Sequence, residues 1–132
     1  MNPLTLEWIG KAEGDFVSAR RELRARKAPN YDAACFHAQQ CAEKLLKAVL
    51  QEAAIPFGKT HNLIALLQLA LPVMPRLETL RPHLEFLTAF SVQFRYPGDS
   101  ADRAVAKAAL KHCQSARTQL REELGVEDTK KA

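Results

Sequence analysis

The twenty residues from Tyr31 to Leu50, YDAACFHAQQCAEKLLKAVL, constrain this chain more than any other stretch. They hold no proline or glycine, follow the breaker Ala28-Pro29-Asn30 and run towards the turn Ile55-Pro56-Phe57-Gly58. One uninterrupted helix from about Tyr31 to Ala54 is expected between them. Either Asn30 or Asp32 suits its N-cap. Ala34, Ala38, Cys41, Leu45, Ala48 and Glu52 form one stripe at helical spacing, while Phe36, Leu46, Val49 and Leu50 are apolar on other sides. A helix apolar on more than one side sits at the centre of a bundle or in a subunit interface.

The other breakers cut the chain into further helical pieces. A first helix is expected from Leu4 to about Arg26, capped by Asn2 with Pro3 in its first turn, and with Leu4, Trp8, Ala12, Phe16, Ala19 and Leu23 inward. Thr60 is expected to cap a shorter helix over HNLIALLQLALP, ending near Pro72. Arg76 to Leu80 holds a helical turn or more. A helix from about Pro82 to Phe94 points Leu84, Leu87, Phe90 and Phe94 inward, and Tyr96-Pro97-Gly98 stops it. Asp99 or Ser100 caps a last long helix to about Leu124, with Val105, Ala109, His112 or Cys113, Ala116, Leu120 and Leu124 inward. β-branched residues are sparse and no run alternates with period two, so the fold class is all-α. The spacing predicts an antiparallel up-and-down bundle of four to five helices. It forms a single domain over residues 1–125, with a polar, frayed tail over 126–132.

A chain of 132 residues, 47% hydrophobic, fills one core without disulfides or metal, and at this size gains from oligomerisation. A formal net charge of +4 permits contact with phosphates without demanding it. Arg20, Arg21, Arg24, Arg26 and Lys27 complement the dipole at the end of the first helix, which favours a solvated face over a basic binding patch. Cys35, Cys41 and Cys113 are odd in number, and neither a signal peptide nor an apolar membrane span is visible. Together these point to a cytoplasmic location and free, buried thiols.

Two constellations bear chemistry. His37, Gln40, Lys44 and Lys47 recur three or four apart and share one face of the second helix. A histidine, an amide and a lysine together suit a phosphate or a base edge, although the spacing alone favours a solvated face with a half-buried histidine. The second is Phe94-Arg95-Tyr96-Pro97-Gly98-Asp99. There a turn gathers a planar guanidinium suited to phosphate, a tyrosine able to stack on a base, and an aspartate, ahead of a helix N-terminus. A structural turn with Arg95 bridging helices is an equal reading. No metal site is expected. Cys35 and His37 lie about 200° apart on a helix. His37 with Cys41 falls short of the usual zinc ligand count even with Cys113 or His112. No cofactor motif occurs.

At these segments the chain resembles the HEPN domain family. The resemblance rests on Trp8 with Ala12-Glu13-Gly14-Asp15, on YDAACFHAQQCAEKLLKAVL, on Lys59-Thr60-His61-Asn62-Leu63, and on Arg95-Tyr96-Pro97-Gly98. It implies a five-helix bundle that dimerises through helix faces and binds nucleotides or RNA. It also implies a minimal nucleotidyltransferase partner, often in a toxin–antitoxin pair. Some members are metal-independent ribonucleases carrying an arginine, four to six residues, and then a histidine. Arg95 is the counterpart of that arginine, but Ser100, Ala101 and Asp102 occupy the histidine's positions. Arg76 and His83 repeat the spacing outside the expected helix, and that match is read as coincidence. The resemblance therefore implies a binding module, with His37, Gln40, Lys44, Arg95, Tyr96 and Asp99 as ligand contacts and Arg95 and His37 as the catalytic pair if cleavage occurs. An RNA-cleaving toxin and a non-catalytic protein scaffold are the alternatives.

Overall fold

The structure, a computed structural model, describes residues 1–91 and 97–126. Helix α1 spans Pro3–Arg24. Asn2 caps it, its Oδ1 accepting from the Leu4 N–H at 2.7 Å, with Pro3 at the first helical position. It ends two residues short of the expected Arg26, ahead of Ala28, whose φ of +47° turns the chain. Its inward face is Thr5, Ile9, Ala12, Asp15, Phe16 and Ala19. Leu4 is 53% exposed, and Trp8 and Leu23 are only half-buried. The stripe is thus rotated from the expected one, with Ala12 and Ala19 fully buried at its centre.

Helix α2, Tyr31–Glu52, is the central element and packs against every other helix. Asn30 is its cap, accepting from the Ala33 N–H at 2.9 Å. Asp32, the other candidate, instead accepts from the Ala101 N–H at 2.6 Å. Ala34, Ala38, Cys41, Leu45 and Ala48 are buried as expected, and so are Leu46, Val49 and Leu50 on the other sides. Glu52 at the end of the stripe is exposed and receives the Asn2 N–H at 3.2 Å. Each fully buried leucine here would cost about 2–5 kcal/mol if cut back to alanine.

Helix α3, Leu63–Ala70, is capped by Asn62, whose Oδ1 accepts from Ile64 and Ala65. Thr60, the expected cap, lies two residues earlier and accepts from the Asn62 N–H, shaping the turn instead. A 3₁₀ turn over Pro75–Leu80 leads into α4, Arg81–Leu87, and a second 3₁₀ turn covers Thr88–Ser91. The expected helix to Phe94 is therefore α-helical only to Leu87. Leu84, Leu87 and Phe90 point inward as read, and Phe94 lies outside the described residues.

Helix α5, Arg103–Leu124, is capped by Asp102, whose Oδ1 accepts from the Val105 N–H at 2.9 Å, rather than by Asp99 or Ser100. Its inward positions include Ala106 in place of Val105, and Cys113 rather than His112. Gly125, with φ +72°, closes it in the left-handed region that glycine favours. Residues 127–132 of the expected tail lie outside the described residues. Contacts at the ends fix the directions. α1 runs antiparallel to α2, Asn2 meeting Glu52 and Asp15 meeting His37. The 75–87 stretch runs antiparallel to α5, Arg76 meeting Glu123 and His83 meeting His112. All regular structure among the described residues is helical, and no helix is long and apolar enough to cross a membrane.

Candidate functional site

The polar side of α2 borders α1, which changes its character. Asp15 lies on the buried face of α1, 9% exposed, and bridges two residues seven apart on α2. His37 Nδ1 lies 2.7 Å from Asp15 Oδ1, and Lys44 Nζ lies 2.7 Å from Asp15 Oδ2. A carboxylate only accepts, so the His37 Nδ1 carries the proton and donates it. The ring's Nε2 is then the basic nitrogen, on a side chain 31% exposed. A carboxylate that fixes a histidine's tautomer and orientation while leaving the second nitrogen available is the arrangement acid–base chemistry and phosphate recognition both use.

On the same stretch of α2, a second carboxylate, one residue before Lys44, gathers a second group. Glu43, 2% exposed, receives Lys47 Nζ at 2.9 Å, Gln39 Nε2 at 3.1 Å, Gln40 Nε2 at 3.3 Å and His61 Nδ1 at 3.1 Å. Burial alone would raise the Glu43 pKa, but the hydrogen bonds from Lys47, Gln39 and His61 outweigh it and hold the pKa below the ordinary range. The Lys47 ammonium sits 5.5 Å from the centre of the Trp8 ring, which itself meets Phe57 edge-on. Gln40 Nε2 also donates to Gln39 Oε1 at 2.7 Å.

The structure thus brings His37 and Lys44 together through Asp15 and draws Gln40 towards Glu43. The expected solvated face is corrected. His37 is half-buried as read, but Lys47 is buried and the whole row is held by carboxylates. Asp99 is exposed beyond Gly98, whose φ of +97° makes the expected turn. Among the described residues no hydrogen bond joins Asp99 to the α2 row. Arg95 and Tyr96 lie outside the described residues. The following loop is nevertheless tied to α2 by Asp32, at the same end of the helix as His37.

Neither organising acid is a site candidate from the sequence: Asp15 enters there only within Ala12-Glu13-Gly14-Asp15, and Glu43 only within the stretch from Tyr31 to Leu50. Asp15 interrupts the apolar face Ala12, Phe16, Ala19, and Glu43 sits amid an apolar run four residues before Lys47. An acid on a buried face is the signal, since burial requires a partner.

The remaining candidates have other duties. Cys41 packs on Cys113, and the Cys113 thiol together with burial pushes the Cys41 pKa well up. Burial, with Asp32 and Asp102 nearby, raises the Cys35 thiol to about 11. Among the described residues no three histidine, cysteine or acidic side chains converge as metal ligands would. Arg76 pairs with Glu123, while His83 Nδ1 faces His112 Nδ1 at 2.9 Å, so the Arg76/His83 spacing joins nothing.

Comparison with known proteins bears on all of this. A crystal structure of an archaeal HEPN homologue superposes with a TM-score of 0.72 at 22% identity, covering 91% of this chain and 97% of that one. No curated protein matches significantly. The family model described as the HEPN domain matches residues 5–122, nearly the whole bundle. The chain belongs to the HEPN domain family.

Proposed function

We propose that this HEPN domain is a nucleotide- or RNA-binding module that acts as a cytoplasmic homodimer alongside a minimal nucleotidyltransferase, in a toxin–antitoxin-type system. The observation that carries the binding reading is the Asp15–His37–Lys44 cluster. It presents an oriented imidazole and an ammonium side by side on a half-open helix face. His37 and Lys44 take a phosphate or base edge, Gln40 contributes an amide, and Arg95, Tyr96 and Asp99 complete the contacts from the turn. Family membership supports the class of ligand. No histidine stands four to six residues after Arg95, which favours binding over cleavage.

Titrating the purified protein with mononucleotides and a short RNA, alongside Arg95→Ala and His37→Ala, tests this. A loss of about tenfold or more in affinity is expected for each variant, the range for one charge-assisted phosphate contact. Equal, weak binding by all three proteins would remove the assignment. A second reading, RNA cleavage, draws on one feature: the basic Nε2 that Asp15 leaves on His37. It predicts cleavage in EDTA that disappears in His37→Ala. Cleavage indifferent to His37, or none, excludes it.

A further inference from the structure

Away from α2, the far side of α1 meets α5 across a groove of about 510 Å³, lined by Leu23, Ala104, Ala108 and Leu110 with Lys107, Lys111 and Gln114. From Arg103 to Arg121, α5 carries no acidic residue. Arg103, Lys107 and Lys111 stand four apart on its exposed side, spaced about 6 Å along the axis. No described carboxylate pairs with any of the three. The opposite bank is Leu23, near the end of α1, a stretch whose sequence also holds Arg20, Arg21, Arg24, Arg26 and Lys27. The one acid there, Glu22, receives the Asn30 N–H.

We infer that this groove is a track for the phosphodiester backbone of a single RNA strand, distinct from the α2 cluster and resting on the nucleic-acid reading of this domain. The charge pattern selects the occupant. An RNA strand carries a negative charge at every nucleotide, which matches cations in a row with no acid between them. A protein helix carries lysines among its acids, and the rim of a site for it needs both signs. A second copy of this chain would bring the same cations against themselves. The floor of leucine and alanine lacks an aromatic ring, so bases are not stacked there and the track reads charge rather than sequence. The groove lies at the end of the bundle where α2 begins, and the α2 cluster lies further along, towards the middle of α1 and α2. Leu23 is eight residues, about 12 Å, along α1 from Asp15, and Asp32 holds the chain just before α5. A strand engaged at His37 and Lys44 can therefore continue around α1 into the groove.

The test is fluorescence anisotropy with a labelled, unstructured twelve-nucleotide RNA across a salt series, compared with a mononucleotide and with poly-glutamate of equal charge. Lys107→Ala/Lys111→Ala should weaken the RNA about tenfold. It should also flatten the salt dependence by about 1.4, at roughly 0.7 for each phosphate of a single strand that is no longer neutralised. It should leave mononucleotide binding unchanged. Lys11→Glu, the same change in net charge on an exposed part of α1 away from the groove, should leave RNA binding within about twofold. An unchanged affinity and salt slope in the double variant would overturn the inference. So would an equal loss in Lys11→Glu, or poly-glutamate competing as well as RNA. RNA binding that depends on Lys107 and Lys111 but ignores His37 and Asp15 would keep the groove and remove the α2 assignment. Mononucleotide binding without RNA binding would do the reverse.

Discussion

Asp15 and Glu43 do the same thing in two different solvents. Each carboxylate holds a lysine ammonium with one side and a histidine Nδ1 with the other. Around Glu43 the Lys47 ion pair is sealed, with the Lys47 side chain 7% exposed, an indole against the ammonium and two amides on the carboxylate, while His61 caps it from the surface with its side chain 61% exposed. Around Asp15 the Lys44 side chain is 23% exposed, and among the described residues no side-chain amide hydrogen-bonds to Asp15. A sealed network anchors α2 to the loop before α3 and to Trp8. An open one keeps its ammonium, beside the oriented imidazole, within reach of a ligand. The two are expected to respond differently to the same surgery: stability at Glu43, binding at Asp15.

The largest effect should come from Glu43→Ala. Removing the acid strands the buried Lys47 ammonium, at a cost of about 3–5 kcal/mol, or roughly 10–15 °C in Tm for a domain of this size. Replacing both partners, Glu43→Leu with Lys47→Leu, should recover most of that loss, because the cost lies in the orphaned charge and not in the absent bond. Urea denaturation measures both. A single variant that unfolds no more easily than the double would show that Glu43 is less sealed than its surroundings imply.

Asp15→Asn should cost less, about 1–2 kcal/mol, because Lys44 and His37 can turn to water. Its main effect should be on ligands. Asparagine can still accept from Nδ1 with its oxygen but leaves Lys44 without a charged partner, and nucleotide or RNA affinity should change about tenfold while the fold holds. If Asp15→Asn destabilises as much as Glu43→Ala and leaves binding unaltered, the comparison collapses and both clusters are structural.

These two acids also mark where the sequence stops being readable. The helical architecture is legible because it rests on local signals: breakers at Pro29 and Pro56, and apolar residues three and four apart. Caps are legible to within a few residues. Asn2 and Asn30 cap where their positions predict, whereas Thr60, Asp99 and Ser100 each stand just upstream of the side chain that caps. Any of these short polar residues can cap, and tertiary packing chooses among them. The rotation of α1 is not legible, since Leu4 looks as apolar as Ile9 until Ala12 and Ala19 seat against the neighbouring helices. Least legible are the pairings. His37 and Lys44 share a face by spacing, but the carboxylate that joins them lies 22 and 29 residues away. Nothing local announces a contact of that range.

Acid offers the gentlest way to separate the networks, and it starts with a third histidine. His112 stacks on Phe86 with ring centres 4.5 Å apart, and its Nδ1 faces His83 Nδ1, so the two rings share a single proton in that contact. Burial, then His83, then Lys111 lower its pKa from the ordinary histidine value. The folded state therefore binds fewer protons than the unfolded chain just below pH 6.5, and stability falls as pH drops from there towards the lower folded value. Glu43 follows later. Its lowered pKa contributes stability that is present above about pH 4.5 and is lost as pH falls through the folded value. Thermal unfolding should thus show a shallow decline of a few degrees as pH falls below about 6.5, then a steeper one below about pH 4.5. His112→Gln should flatten the first and leave the second. A first decline that survives His112→Gln would assign it to another group.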